Sequence, residues 1–257
     1  MAKRFPAVFL LAAFGCALVL AQFHLPGSGG SGNTKAATPP APAAPATPAA
    51  PAAPTKTDAP PAKVQIEPAA PFDYYVLSLA WAPSFCADPA NAAANPKECG
   101  PGRHTGFAVH GLWPEANEGK SPEACEQTKP VPKRVLNMML PYMPTASLVQ
   151  HEWAEHGTCS GLTPADYFTL VIQARVAVQL PVQITAIDEA ASESPEQIEG
   201  QFAGANPSFP AKAFRTACRG GEFSEMHVCF DRNLKGRECT ASAGECSRAS
   251  ARIRPPQ

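Results

Sequence analysis

Positive charge is scarce in this sequence. Its 257 residues carry 21 Lys and Arg against 22 Asp and Glu, which gives a formal net charge of −1 at pH 7. A protein that coats duplex nucleic acid through its phosphates needs a basic surface, so this balance disfavours that class of protein. An enzyme that grips one or two phosphates locally remains compatible with the composition.

Residues 26–63 lack every aromatic and every branched aliphatic residue. They are rich in Gly and Ser and then consist almost entirely of Ala, Pro and Thr, so they cannot bury enough apolar surface to fold. We interpret residues 22–71 as a linker that is semi-rigid where proline is dense. One globular domain, residues 72–257, is expected to follow it.

The first 21 residues combine a basic start with an apolar run. Lys3 and Arg4 precede the apolar residues 5–20, and Val19 and Ala21 are small residues at the −3 and −1 positions of a cleavage site. This pattern predicts a signal peptide and therefore a secreted or periplasmic protein. In the alternative interpretation the segment stays uncleaved and tethers the protein to a membrane, although about 16 apolar residues are few for a span.

No CxxC pair occurs among the nine cysteines, so their spacing offers no clamp for a zinc ion. Cys16 lies in the signal segment. The other eight form an even set behind a signal peptide, which predicts a disulfide framework in an oxidising compartment. Spacing alone leaves their connectivity open.

Alternating and helical patterns in the domain predict an α+β fold. Residues 73–83 and 105–115 alternate like half-buried strands, and the second is expected to end near Gly111 and Pro114, with His110 at the strand end. Helices are predicted within 131–143, within 162–180 and from Ser194 onwards. Because no βαβ rhythm is present, we expect a central antiparallel sheet flanked by helices and stapled by disulfides.

Residues 151–160, HEWAEHGTCS, concentrate two His, two Glu and one Cys. On a helix, residues four apart share a face, whereas residues five apart are separated by about 140°. Glu152 and His156 therefore share a face, but His151 and His156 do not. A zinc-protease helix needs its two histidines four apart, so we reject that function. An acid/base helix and a solvated polar face remain, with Gly157 as the expected helix cap and core packing as the expected role of Trp153.

Two segments, FAVHGLWPE (107–115) and HEWAEHGTC (151–159), resemble the two signature segments of the ribonuclease T2 family. The strand segment DYYVLSLAWAPSFC and the C-terminal VCFDRNL resemble the same family. The resemblance implies a monomeric, metal-independent endoribonuclease of low base specificity that needs no cofactor. Its substrate would be single-stranded RNA and not DNA, because the 2′-hydroxyl of RNA is the nucleophile.

By this resemblance, His110 and His156 form an acid/base pair, a task that suits imidazole because it titrates near neutral pH. His151 would bind the phosphate, and Glu152 would orient or polarise the site. Trp113 would stack against a base, with core packing as its alternative role. RNA would be cleaved through a 2′,3′-cyclic phosphate to a 3′-phosphate.

Glu155 stands where the family's second signature usually has a lysine. An anion thus replaces a cation that would stabilise the phosphorane, which predicts a weaker enzyme. Arg103 and Lys120 are candidates for a replacement cation by proximity in the sequence. If Glu155 points into the cleft, it should also raise the pKa of His156 and His151.

A catalytically weakened RNA-binding or effector protein on the same scaffold is the competing function. His104 and His227 lie outside both signatures and are expected to be structural or surface residues. The resemblance also implies the disulfide pairing, which joins Cys86 to Cys99, Cys125 to Cys159, Cys218 to Cys246, and Cys229 to Cys239.

Overall fold

A computed structural model describes residues 70–101, 106–127, 129–240 and 246–256. The expected signal peptide, nearly all of the linker, Arg103 and His104 lie outside these residues. Within the described part of the chain, no helix is long and apolar enough to cross a membrane.

Six strands of the described residues form one sheet. They are β1 (Tyr74–Trp81), β2 (Phe107–Glu115), β3 (Ala191–Glu193), β4 (Phe214–Arg219), β5 (Glu222–Asp231) and β6 (Ala251–Ile253). The strand order is β2-β1-β5-β6-β3, and β4 also pairs with β5. Pairing is antiparallel throughout except between β5 and β6, which run parallel. The α+β prediction is confirmed, and the parallel pair makes the sheet mixed.

The described residues also form eight α-helices. They are α1 (Ala82–Cys86), α2 (Pro89–Ala94), α3 (Pro96–Cys99), α4 (Lys133–Met139), α5 (Ala146–Glu155), α6 (Pro164–Ala177), α7 (Val182–Thr185) and α8 (Pro195–Ala205). The predicted N-terminal caps of two helices are confirmed. The Thr163 side chain caps α6, and Ser194 and Gln197 form a capping box on α8. Gly157 is not the cap of α5, because the helix ends at Glu155 and a 3-10 segment, Gly157–Ser160, follows it.

β1 is buried on both faces, whereas its alternation predicted a half-buried strand. One set of alternate residues packs into the main core, to which α4, α5, α6 and α8 also contribute: Tyr75, Leu77, Leu79 and Trp81. On the opposite face, Tyr74 and Val76 pack against Cys229, Cys239 and Trp113. The Cys229–Cys239 loop therefore covers the face that the alternation pattern assigned to solvent.

β2 continues past the point at which the sequence predicted its end. It runs through Gly111 and Pro114 to Glu115, so His110 lies within the strand and not at its end. β2 is an edge strand of the sheet. Edge strands tolerate proline because one side of their backbone needs no ladder partner.

A β-bulge at His110 changes which side chains of β2 share a face. The register of β1 and β2 skips His110. Val109 and Leu112 both lie in the main core, and His110 and Trp113 both line a cavity on the other face. Residues three apart on a regular strand face opposite ways, so the extra residue is what brings His110 and Trp113 together.

The disulfides are the four pairs that the resemblance implied: Cys86–Cys99, Cys125–Cys159, Cys218–Cys246 and Cys229–Cys239. The second of these ties the segment that precedes α4 to the 3-10 segment that follows α5. It thereby braces the helix that carries the second histidine-rich signature.

Candidate active site

A cavity of about 680 Å³ lies on the sheet face opposite the main core. Alternate strand residues line it, namely Ala80 from β1, His110 and Trp113 from β2, and Glu225 and His227 from β5. Residues of α1, α2 and α3 form another wall. Glu152 of α5 lies beside His110 and Trp113 at one end of the cavity, so both predicted signatures meet there.

Glu152 of α5 is the centre of this meeting point, and its side chain is only 1% exposed. Its Oε2 accepts a hydrogen bond of 2.9 Å from Trp113 Nε1. Its Oε1 lies 3.5 Å from His110 Nε2, and its Oε2 lies 4.0 Å from His156 Nε2. Burial raises the pKa of Glu152, and the charge of His110 and the Trp113 hydrogen bond only partly oppose that rise.

Gly111 makes room for the Glu152 carboxylate beside β2. A methyl group at position 111 would overlap both Glu152 Oε2 and Trp113 Nε1. The sequence suggested a strand end at this glycine, but its structural role is to let α5 approach the bulged strand closely.

We expect Gly111→Ala to push the Glu152 carboxylate away and to destabilise the fold by about 1–3 kcal/mol, as overpacking does. Urea unfolding measures the loss. Gly200→Ala is the matched control, because a methyl group at that α8 position meets no atom within 4 Å and alanine favours a helix. Equal stability of the two variants would contradict the assigned role of Gly111.

Trp113 is half-buried and packs among three imidazoles. Its ring centroid lies 5.3 Å from that of His110, 5.4 Å from that of His156 and 5.3 Å from that of His227. Together with its hydrogen bond to Glu152, these contacts place the indole between the three histidine rings, where it holds them apart. Trp153 packs in the core against Tyr167, as predicted.

Glu225 and His227 were not singled out as functional residues from the sequence. Glu225 Oε1 lies 3.1 Å from His110 Nδ1, and Glu225 Oε2 lies 3.1 Å from His227 Nε2 and accepts a hydrogen bond from Ser78. His227 was assigned a structural or surface role. It is buried, but it forms part of the cavity wall. The available signal was the alternation in SEMHV, which puts both residues on one face of a strand.

His110 and His156 differ in pKa. Burial alone would lower the pKa of His110, but the hydrogen bond and charge of Glu225, with the charge of Glu152, raise it above the ordinary 6.5. Burial lowers the pKa of His156 to about 4, against the opposing charge of Glu123. In mildly acidic solution His110 therefore carries a proton, and His156 does not.

Glu155 is half-buried at the end of α5, and its carbonyl accepts a hydrogen bond of 2.7 Å from the Ala124 amide. Glu155 is not among the groups that act on His156, because burial lowers the pKa of that ring and Glu123 is the carboxylate that opposes the fall. Lys120, one of the two candidate cations, is 84% exposed and pairs with Glu123 at 3.3 Å.

Arg219, at the end of β4, is a cation that does line the cavity, and its charge acts on His110. His151 is exposed on α5, whereas His156, which directly follows the last residue of α5, is half-buried. Among the described residues, no group of three or more His, Cys, Asp or Glu side chains is arranged to hold a metal ion.

Known proteins resemble this chain in sequence and in fold. A ribonuclease of Aeromonas hydrophila is 34% identical over 132 residues, which cover 51% of this chain and 58% of that protein. A probable ribonuclease of Haemophilus influenzae is 30% identical over 181 residues, which cover 66% of this chain and 62% of that protein. This chain thus spans less than two thirds of the length of either relative.

Solved structures share the fold. An RNase-related protein from Calystegia sepium matches with a TM-score of 0.58 at 22% sequence identity, over 73% of this chain and all of that one. The ribonuclease T2 family model matches residues 72–239, which is more than half of the 257 residues. The chain therefore belongs to the ribonuclease T2 family.

Proposed function

We propose that this protein is an endoribonuclease that cleaves single-stranded RNA, without a metal ion and with low base specificity, through a 2′,3′-cyclic phosphate to a 3′-phosphate. One observation carries the proposal. Two imidazoles, those of His110 and His156, face one buried carboxylate, Glu152, and their pKa values are displaced in opposite directions. Titratable groups whose environments push their pKa values apart are typical of an acid/base pair.

In the first step, neutral His156 takes the proton of the RNA 2′-hydroxyl, and the 2′-oxygen attacks the adjacent phosphorus. The P–O5′ bond then breaks as protonated His110 donates its proton to the departing 5′-oxygen. This assignment follows from the protonation states, since a base must begin without its proton and an acid must begin with one. DNA lacks the 2′-hydroxyl and is not a substrate.

In the second step, the two histidines exchange roles. His110, now neutral, takes a proton from water, and the resulting hydroxide attacks the cyclic phosphate. His156, now protonated, returns a proton to the 2′-oxygen, so the enzyme ends in its starting state. Glu152 orients both rings, because its carboxylate faces both Nε2 atoms, and its charge favours the protonated form of His110.

Negative charge that develops on the phosphorane needs positive partners. We assign phosphate binding to His151 on α5 and to Arg219 on the cavity wall. Trp113, which lines the cavity, stacks against a base, a contact that tolerates any base because each has a π face. No base-specific contact is part of the proposal.

We expect Glu155→Lys to raise kcat for RNA by up to about 100-fold, since one well-placed charge contact commonly changes rates by two to three powers of ten. Steady-state cleavage of an RNA oligonucleotide measures it. Glu155→Gln is the control, because it removes the negative charge without adding a positive one. Equal turnover by the wild type and Glu155→Lys would remove Glu155 as a cause of weak activity.

Secretion and the monomeric state are also part of the proposal. Four disulfides suit an oxidising compartment outside the cytoplasm. An uncleaved N-terminal segment would tether the protein to a membrane. Recovery of the full-length chain in membrane fractions would favour the tether over cleavage.

The function is tested by incubating the oxidised protein with an end-labelled RNA oligonucleotide in EDTA. A matched oligonucleotide carries a single 2′-deoxynucleotide at the cleavage position. We expect metal-free cleavage to a cyclic phosphate, and no cleavage at the 2′-deoxy position. No cleavage of RNA at any mildly acidic to neutral pH would instead favour an RNA-binding or effector protein, with Glu155 as the suspected cause of lost activity.

A further inference from the structure

We propose that Glu225 is a positioning residue that fixes the His110 ring through Nδ1, so that Nε2 carries the proton that His110 transfers. This inference rests on the proposed function and extends it to a residue outside both signature segments. Its basis is the 3.1 Å contact between Glu225 Oε1 and His110 Nδ1. The two residues are 115 positions apart and belong to β5 and β2, the two strands that flank β1.

The Glu225 carboxylate is itself held in place. Ser78 donates a hydrogen bond to Oε2, and His227 Nε2 lies 3.1 Å from the same oxygen. Burial opposes ionisation of Glu225, but the hydrogen bonds from His110 and His227 outweigh it and hold the pKa of this carboxyl well below its usual range. Glu225 is therefore an anion at any pH at which the site works. As a carboxylate it can only accept a hydrogen bond, so Nδ1 of His110 must be the donor.

That requirement assigns a different role to each ring nitrogen of His110. With the Nδ1 hydrogen directed at Glu225, Nε2 is the nitrogen that gains and loses the mobile proton. Nε2 lies on the side of Glu152, at 3.5 Å from Oε1, which is where α5 brings the other catalytic groups. A carboxylate that orients a histidine in this way also makes its ring more basic.

Other charged groups act on His110 from each element packed around it. Glu152 of α5 raises its pKa, and Arg219 of β4 lowers it. His227 of β5 shares the Glu225 carboxylate with His110, since each ring contacts one of its two oxygens. Removal of the Glu225 charge should therefore lower the pKa of His110 while Glu152 still favours its protonated form.

The test compares Glu225→Gln with the wild type on two substrates. A dinucleoside phosphate needs its 5′-oxygen protonated, whereas a nucleoside 3′-(4-nitrophenyl phosphate) has a leaving group that departs without a proton. We expect Glu225→Gln to lower kcat for the dinucleoside phosphate by about 10- to 100-fold, as the loss of a carboxylate that orients a metal-binding histidine does. The nitrophenyl substrate should lose far less.

Glu199→Gln is the matched control, because Glu199 of α8 is a carboxylate that pairs with Arg215 at 3.4 Å and is not among the residues that line the cavity. It should affect neither substrate. Equal loss on both substrates by Glu225→Gln would mean a general structural role and would overturn the proposal.

NMR titration of the His110 ring separates this inference from the proposed function, because it requires no activity. The wild type should carry its hydrogen on Nδ1 in the neutral form, and the pKa of His110 should fall in Glu225→Gln. An unchanged tautomer and pKa in a folded variant would overturn the inference. If the shift appears but neither substrate is cleaved by the wild type, the positioning by Glu225 stands and the proposed function fails.

Discussion

Replacing His156 by alanine is expected to lower kcat/KM for RNA by about 10²–10⁴-fold, the contribution typical of a positioned general base. The loss should be the same with a nitrophenyl leaving group, because the 2′-hydroxyl still has to be deprotonated. The half-buried position of His156 beside Trp113 leaves a small space when the ring is removed. Added imidazole should fill that space and restore part of the rate.

Steady-state kinetics with and without imidazole measures both effects. The control is His151→Ala, which removes an exposed imidazole of the adjacent helix α5 and should weaken substrate binding without gaining from imidazole. Full activity of a folded His156→Ala variant would contradict the assignment of the base.

Replacing His110 by alanine is expected to cost about 10²–10⁴-fold on RNA as well, since the departing 5′-oxygen then leaves without its proton. Its loss should depend on the leaving group, in contrast to that of His156→Ala. With a nucleoside 3′-(4-nitrophenyl phosphate), His110→Ala should retain most of the wild-type rate.

The two histidine variants are therefore controls for each other on the same pair of substrates. If His156→Ala were the variant rescued by the better leaving group, the acid and base assignments would be exchanged. Unfolding in urea checks that neither variant is merely unstable. Combining His110→Ala with Glu225→Gln should add little further loss on RNA, because Glu225 acts through His110.

The local patterns of the chain predicted the elements that carry the histidines. Spacing alone put Glu152 and His156 on one helical face, and the structure has both beside Trp113. The start of α6 at Thr163 and Pro164 follows directly from capping chemistry. These features depend on residues a few positions apart, so a sequence reveals them without knowledge of the fold.

Features that depend on pairing between distant strands could not be predicted. The bulge at His110 exists only in the register of β2 against β1. Glu225 reaches His110 because β1 pairs with β5 on its other side. The low pKa of His156 likewise depends on burial that the fold creates. The neighbouring carboxylate in the sequence, Glu155, therefore does not reveal whether that pKa is raised or lowered.

The pH dependence of kcat/KM for RNA in EDTA tests the central claim most directly, because it reports the pKa values of the acid and base in the free enzyme. As pH rises, the rate should increase through about 4, where His156 loses its proton and becomes a base. It should decrease above 6.5, where His110 loses the proton that it must donate. A bell-shaped profile with these two limbs is the predicted result. Two results would contradict the account: a rate that does not increase through about pH 4, or a rate that already decreases below pH 6.5.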